Sequence, residues 1–348
     1  MDTIQIAIIL NEEKLEKLST IDTKNIMRYI NGITSEYGYR YCDFYKISNV
    51  GNFIVKISYP RFFDGINAYL ITNSIECDQV HWNFSMNMSK HPLLCDAQIE
   101  LNRVDIPFTF MMGQNYDFHS YRKVYQVLDY VYRKKNIKSN PKAYTNVAEY
   151  KPETIIYADT PTPAKYNKKV MFYDQYNNLK AKTDDKERLY ELEAKYDELS
   201  KRMRIEVSKR INRKAFSIDE FSQFNIFKEY SVKYKEYILD NLFDLNEVNE
   251  FYEKSAMEIA TRLLVYREEA TNFNYENFIY REIQHIYDYE IIRRALKICI
   301  ENVKTREKAV TAIKKVLMNY QLNENIIVME TYITIKEMRE AIFRYLPW

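Results

Sequence analysis

The sequence predicts an α+β protein, with an antiparallel sheet in its N-terminal half followed by a mostly helical C-terminal region. Turn residues provide the first observation: the last of the 5 glycines is Gly113, and no proline lies between residues 164 and 346. The second is the spacing of apolar residues, which changes near residue 185 from alternation to three- and four-residue steps. Alternation is typical of half-buried strands, and the longer step of amphipathic helices. We therefore expect an α+β domain over 1–215 and a helical domain over 216–348.

Seven runs in the N-terminal half are predicted as strands, because they alternate or are rich in β-formers. In chain order they are QIAIIL (5–10), NFIVKISYP (52–60), AYLITNSI (68–75), VHWNFSMNM (80–88), QIELNRVDIPFTF (98–110), ETIIYAD (153–159) and KVMFYDQY (169–176). Residues 119–138 predict an amphipathic helix with a basic end. From residue 185 onward the predicted helices include residues 187–202, 218–243, 248–270 and 289–303, and residues 326–338 (IIVMETYITIKEM) look like a further strand.

Composition excludes several classes of protein. The 51 basic against 49 acidic residues give a formal charge of +2, so any nucleic-acid binding must depend on local patches. The 4 cysteines show no CxxC spacing, which argues against a zinc site and favours free thiols in a reducing cytoplasm. Residues 1–10 lack the basic start of a signal peptide, and no run of apolar residues is long enough to span a membrane. We expect a cytoplasmic protein.

Lone carboxylates within basic strands are the most unusual feature. On a strand, Arg103 and Asp105 share one face, while their apolar neighbours point to the other. In MRIEVSKR (203–210), Glu206 shares a face with Arg202 and Arg204. Asp174 follows the apolar run of KKVMFYDQ in the same manner. Three such strands that converge on one sheet face predict an oxygen-ligand site for Mg²⁺ or Mn²⁺, surrounded by cations that bind phosphate; cross-strand ion pairs are the structural alternative.

The order of these segments resembles the rolling-circle replication initiators of small plasmids and filamentous phages. The resemblance covers roughly residues 101–214 and is carried by RVD (103–105), ETIIYAD, VMFYDQYNN and MRIEV. It implies a relaxase-like protein that nicks one strand at an origin through a tyrosine, leaving a 5′-phosphotyrosine and a free 3′-hydroxyl. It departs from the family at Thr109, where a second acid is usual, and at Gln175, where a lysine is usual. The expected glycine-serine-arginine loop reads DTPTPAK.

The site expected from the motifs and the resemblance has three parts. The nucleophile is Tyr166 or, failing that, Tyr173. The metal ligands are Asp105, Glu206 and Asp174, with His81 as a fourth. The residues expected to bind DNA are Arg103, Lys165, Lys168, Lys169, Arg202, Arg204, Lys209 and Arg213.

The partners expected are single- and double-stranded origin DNA, with a second copy of the chain and a host helicase as further candidates. Two other interpretations remain open, namely a DNA-binding protein without catalysis on the same fold and a structural protein that assembles through its helical half. Residues 279–348 are equally compatible with a helix-turn-helix or winged module on duplex DNA and with a bundle that dimerises.

Overall fold

A computed structural model describes residues 2–71, 73–137, 142–145, 154–160, 166–182, 186–196, 198–286, 288–324 and 330–344. Its strands form one antiparallel sheet in the order β2-β3-β1-β4-β8-β7-β6-β5. Their bounds are β1 (Thr3–Ile9), β2 (Cys42–Ile47), β3 (Phe53–Ser58), β4 (Gln98–Met111), β5 (Lys142–Thr145), β6 (Thr154–Ala158), β7 (Lys168–Asp174) and β8 (Arg202–Phe216). The predicted α+β class, with the sheet in the N-terminal half and helices after it, is confirmed.

Helices connect the strands and make up the part of the chain after β8. Their bounds are α1 (Glu12–Glu16), α2 (Thr20–Asn31), α3 (Tyr59–Asp64), α4 (Ser74–Lys90), α5 (Arg122–Lys135), α6 (Gln175–Lys182), α7 (Lys186–Lys195), α8 (Ile218–Gln223), α9 (Ile226–Asn241), α10 (Leu245–Glu269), α11 (Tyr275–Glu282), α12 (Tyr289–Cys299), α13 (Val303–Glu324) and α14 (Thr331–Arg344). Short 3₁₀ turns occur at Phe118–Tyr121, Leu199–Lys201 and Ile283–His285. Among the described residues, no helix has the length and apolar character needed to cross a membrane.

Two predicted strands are wrong: residues 80–88 are helical, and of the described residues in 68–75 only Ser74 and Ile75 have regular structure, as the start of that helix. Residues 80–88 belong to α4, whose buried positions Val80, Phe84 and Met88 recur every four residues. Asn73 caps this helix by accepting a hydrogen bond from the Glu76 amide, so the preceding run 68–75 ends in a helix start. In VHWNFSMNM the polar His81 and Ser85 lie on the buried side of the helix, and the apolar Trp82 and Met86 lie on its exposed side, so the alternation does not mark a pleated strand.

The predicted strand at residues 326–338 is also corrected. Residues 325–329 lie outside the described part, and α14 begins at Thr331. Its buried residues Ile335, Met338 and Ile342 follow the three- and four-residue steps of a helix. Strands β2 and β5 were missed, since neither run is long or strongly alternating.

The chain divides into two compact units. The first comprises Met1–Gly113, Ser139–Ile238 and Ile342–Trp348, and the second Gln114–Lys138 and Leu239–Ala341. This division differs from the boundary predicted at residue 215. In the first unit, α8 packs on β4 and β8, and Tyr234 of α9 donates to the Val104 carbonyl.

The second unit includes α5, although that helix lies between β4 and β5 in sequence. Lys134 of α5 forms an ion pair with Glu250 of α10, and Lys135 pairs with Asp244 at 2.5 Å. These contacts join α5 to the helices that follow the sheet. The predicted amphipathic helix over 119–138 is thereby confirmed for its central part, and its basic end is neutralised by acids of the same unit.

The central strands of the first unit have one apolar face and one polar face. The apolar face includes Val104, Ile106, Val207 and Ile205, all fully buried. Successive side chains of a strand point to opposite faces, so Asp105, Glu206 and their neighbours in register lie on the other side. We call that side the polar face. It is composed of Arg103, Asp105, Lys169, Tyr173, Arg204, Glu206, Ser208 and Arg210.

Candidate active site

Register places the two central carboxylates on the polar face of neighbouring strands. Asp105 of β4 is opposite Ser208 of β8, and Glu206 of β8 is opposite Pro107. Asp105 retains only 3% of its exposure and Glu206 only 6%. The expectation that these two carboxylates share a sheet face on adjacent strands agrees with this geometry. Both are buried, however, so partners must satisfy them inside the protein.

A chain of hydrogen bonds connects Tyr166 to Asp105. The Tyr166 hydroxyl lies 3.0 Å from Ser208 Oγ, and Ser208 Oγ donates to Asp105 Oδ1 at 2.6 Å. Tyr166 stands just before β7, where the Asn167 carbonyl accepts from the Arg210 amide and holds the segment against β8. This chain of hydrogen bonds therefore has a phenol at one end and a buried carboxylate at the other.

Arg103 completes this chain on the far side of the carboxylate. Its Nη2 lies 2.8 Å from Asp105 Oδ2. Burial raises the pKa of Asp105 above its ordinary value, and the charge of Arg103 and the Ser208 hydrogen bond oppose that rise. A carboxylate with a raised pKa is a better proton acceptor near neutral pH than an exposed one.

A second group surrounds Glu206. The Tyr173 hydroxyl donates to Glu206 Oε2 at 3.1 Å, and Arg204, which is fully buried, lies 3.6 Å from Asp2 Oδ1. Burial raises the pKa of Glu206 well above its ordinary value, and the charges of Asp2 and Asp105 add to that effect. Burial also raises the pKa of the Tyr173 phenol well above its usual range, as does Glu206. The Tyr173 hydroxyl is thus held in its neutral form, which is a weak nucleophile.

Two residues of this cluster were not predicted from the sequence. Ser208 lies two residues after Glu206 on the same strand and shares its face, so the motif MRIEVSKR contained the signal. Asp2 reaches the cluster because it precedes β1, which pairs with β4. Its amide donates a hydrogen bond to the Asp105 carbonyl at 3.1 Å. No local pattern near the start of the chain indicated this contact, because it depends on how β1 pairs with β4.

Cations lie on both faces of the sheet near Tyr166. On the polar face, Lys169 Nζ is 4.6 Å from the centre of the Tyr166 ring and Arg210 Cζ is 5.3 Å from it. On the apolar side, Lys168 is directly opposite Lys209. Lys169 and Arg210 thus place positive charge beside the phenol, while Lys168 and Lys209 lie on the other face. They could hold the phosphates of a bound strand.

The remaining predicted DNA contacts are distributed differently. Arg202 is half-buried and donates to the Ala68 carbonyl at 3.3 Å, while Arg204 faces the carboxylates of the cluster and not solvent. Lys165 and the side chain of Arg213 lie outside the described residues. Burial thus removes Arg204 from the predicted phosphate-binding rim, because a guanidinium without solvent contact cannot reach a backbone phosphate.

Two of the predicted metal ligands do not join the cluster. Asp174 points to the face opposite Tyr173, where its Oδ1 accepts from the Asn177 amide at 2.9 Å at the start of α6. His81 lies on α4 instead of a strand, with its two ring nitrogens on the Tyr59 hydroxyl and the Phe221 carbonyl. Burial lowers the pKa of His81 to about 4, so the ring stays neutral. Both ligand assignments are corrected: one residue caps a helix and the other is packed in the core.

The residues present do not fit the predicted metal centre. Within the described ranges, no three acidic, histidine or cysteine side chains are placed to hold one ion. Arg103 already neutralises Asp105 and Arg204 lies against Asp2, which are the positions a dication would compete for. We derive no chemical step through a metal.

No family model matches the chain, and neither a curated protein nor a solved structure matches it.

Proposed function

We propose that this chain nicks single-stranded DNA by tyrosine transesterification and initiates replication of a small replicon. The hydrogen-bond chain from Tyr166 through Ser208 to Asp105 carries the proposal. A phenol has an ordinary pKa near ~10, so attack on phosphorus at neutral pH requires a group that accepts its proton. A buried carboxylate one hydroxyl away, with a raised pKa, is such a group.

The proposed reaction is a transesterification at phosphorus. As the Tyr166 oxygen forms a bond to phosphorus, its proton passes to Ser208 Oγ, and the Ser208 proton passes to Asp105. The bond from phosphorus to the 3′-oxygen breaks, and that oxygen takes up a proton from solvent to become the free 3′-hydroxyl, while Asp105 keeps the proton that came from the phenol through Ser208. The product is a 5′-phosphotyrosine. Attack by the 3′-hydroxyl reverses the sequence and rejoins the strand.

Charge around Tyr166 supports a phosphodiester as the substrate. Lys169 and Arg210 lie over the ring, and Arg103 is half-buried beside the relay. Positive groups fixed next to the attacking oxygen stabilise the charge that develops on the phosphorane oxygens. A peptide or ester substrate offers no comparable negative charge for Lys169 and Arg210, whereas Arg103 is already paired with Asp105.

The second unit offers a separate basic surface for duplex DNA. Residues 300–302 join α12 to α13, and both α11 and α12 pack on α13. Ala309, Ile313 and Leu317 form the buried side of α13. Its opposite side carries the exposed lysines Lys304, Lys308 and Lys315, none of which forms an ion pair with a described residue. Two helices joined by a short turn, with a basic second helix, favour the helix-turn-helix alternative over a dimerisation bundle.

The test is covalent capture. Purified protein is incubated with supercoiled DNA of the replicon that encodes it, with and without Mn²⁺, and nicked circles are examined for attached protein on a denaturing gel. Wild type and Tyr173→Phe should form adducts, and Tyr166→Phe should not. Adducts that persist in Tyr166→Phe and vanish in Tyr173→Phe would transfer the role to Tyr173.

One observation favours a second candidate, a DNA-binding initiator without catalysis. Tyr166 retains only 7% of its exposure, so its hydroxyl is not open to a strand in this conformation. In that case the polar face would be a buried network that stabilises the sheet, and the surface lysines alone would bind DNA. Specific duplex binding with no adduct in wild type would support this candidate.

A further inference from the structure

Lys168 and Lys209 form a pair of like charges on the apolar side of the sheet. They lie directly opposite each other on β7 and β8. Like charges at directly opposed positions of an antiparallel pair destabilise a sheet. Such a pair therefore needs an explanation in its surroundings.

Aromatic rings, not carboxylates, surround these ammonium groups. Lys209 Nζ is 4.6 Å from the ring centre of Tyr234 and 4.7 Å from that of Tyr237, and Lys168 Nζ is 5.3 Å from Tyr237. Ring faces attract a cation but leave its charge in place. Within the described part of the chain, neither lysine forms an ion pair with an acid.

The charged groups nearby do not relieve the repulsion. Lys233 of α9 is already paired with Glu229 at 2.6 Å. The Asp159 carboxylate accepts from the backbone amides of Asn167 and Lys168. Burial lowers the pKa of Lys209 to about 8, and the positive charges of Lys168 and Lys233 contribute to that shift. The site holds more positive charge than its protein partners neutralise.

We propose that Lys168 and Lys209 bind a phosphate group. In the active protein, this phosphate is part of a bound DNA strand, and the next phosphate of the same strand lies at Tyr166. This second statement rests on the proposed function. Lys168 and Lys169 are consecutive on β7, so their side chains point to opposite faces, and Lys169 lies over Tyr166. The end of β7 therefore presents cations on both sides of the sheet, beside the candidate nucleophile.

The test compares thermal unfolding in sodium phosphate and in sodium chloride at equal ionic strength. A ligand that binds only the native state raises the midpoint of unfolding by mass action. Wild type should gain stability in phosphate, and Lys168→Gln and Lys209→Gln should lose that gain. In chloride, both variants should be at least as stable as wild type, because each removes the repulsion. Lys228→Gln, at an exposed lysine of α9, is the control and should keep the gain.

A different pattern overturns the proposal. If the lysines serve only to pack on the tyrosines, both variants will be less stable than wild type in chloride, and phosphate will have no specific effect on any of the proteins. A phosphate gain that persists in both variants would place the anion elsewhere.

An oligothymidylate without terminal phosphates separates the two sources of phosphate. Binding that weakens at least tenfold in Lys168→Gln and Lys209→Gln supports a strand, and unchanged binding together with a lost phosphate gain overturns the strand assignment in favour of a free anion. If the site passes these tests and wild type forms no covalent adduct, the proposed nicking function fails and the phosphate site stands.

Discussion

The Ser208 hydroxyl lies between Tyr166 and Asp105, 3.0 Å from the phenol and 2.6 Å from the carboxylate. Because Ser208 already donates to Asp105, its oxygen is left to accept the hydrogen of Tyr166. The two outer groups are thus connected through one atom that can accept and donate a proton in the same step.

Ser208→Ala removes that atom without enlarging the side chain. We expect the rate of adduct formation to fall by about 10²-fold or more, the range that a positioned proton acceptor contributes. Ser208→Thr keeps a hydroxyl and should recover a substantial part of the rate. Single-turnover kinetics at several pH values, with strand binding measured in parallel, separates a lost relay from lost affinity. Equal rates in Ser208→Ala and wild type would contradict the relay.

Arg204→Leu should destabilise the first unit. This guanidinium is fully buried beside Asp2, and it opposes the rise in the pKa of Glu206. Removing one partner of a buried charge network leaves the others unpaired and costs ~3–5 kcal/mol. Urea denaturation measures the change. Arg210→Leu, on the same strand and face but exposed, is the control and should cost less than ~1 kcal/mol.

The lowered pKa of Lys209 predicts how the free energy of unfolding changes at alkaline pH. Its pKa in the folded protein is about 8, below the ordinary value of 10.5. The unfolded chain therefore binds more protons between these values, and the free energy of unfolding should rise as the pH increases from about 8 to about 10.5. Relative to Lys209→Gln, wild type should gain on the order of 1–2 kcal/mol, since solvent still screens the half-buried ammonium. Parallel profiles for the two proteins would be inconsistent with this assignment.

The basic side of α13 predicts salt-dependent binding of duplex DNA. Replacing Lys304, Lys308 and Lys315 together by Gln should lower the slope of log K against log salt by about 2–3, at ~0.9 for each lost phosphate contact. A matched triple variant, Lys24→Gln, Lys90→Gln and Lys182→Gln, removes three exposed lysines from α2, α4 and α6 and should leave the slope unchanged. Fluorescence anisotropy with a short DNA duplex measures both slopes. Tighter binding of an RNA duplex of the same length would instead point to A-form RNA.

Short-range patterns predicted the strands that form the site but not the set of side chains that meets there. Arg103 and Asp105 share a face because alternation alone requires it, and MRIEVSKR was correctly read as a strand with Glu206 on its polar face. Strand pairing decides the rest. Asp2 enters because β1 pairs with β4, and no pattern within either segment specifies that partner.

The errors have a common physical origin. VHWNFSMNM alternates in polarity, and yet its burial follows a helix, since polar Ser85 and His81 are both buried among apolar neighbours. Asp174 is the last residue of its strand and caps the following helix. An alternating sequence pattern cannot distinguish this capping residue from the metal ligand that was predicted at the same position. The exposure of individual side chains could not be predicted from the sequence either. Arg204 lies between two apolar residues, and this local pattern does not indicate that it is fully buried.

The position of β8 in the sheet has a consequence for biogenesis. Among the described residues it is the last strand in sequence, yet it lies between β4 and β7, and its pairing with β4 joins residues about a hundred positions apart, such as Asp105 and Ser208. Pairs so distant in sequence form slowly, because the entropy of closing a long loop is lost before any stabilising contact forms. During translation, β4 and β7 must wait with unpaired edges until residues 202–216 emerge from the ribosome. A ribosome that stalls earlier would release a chain containing both candidate tyrosines but neither Ser208 nor Glu206, so the proposed relay can form only after this one strand has been inserted.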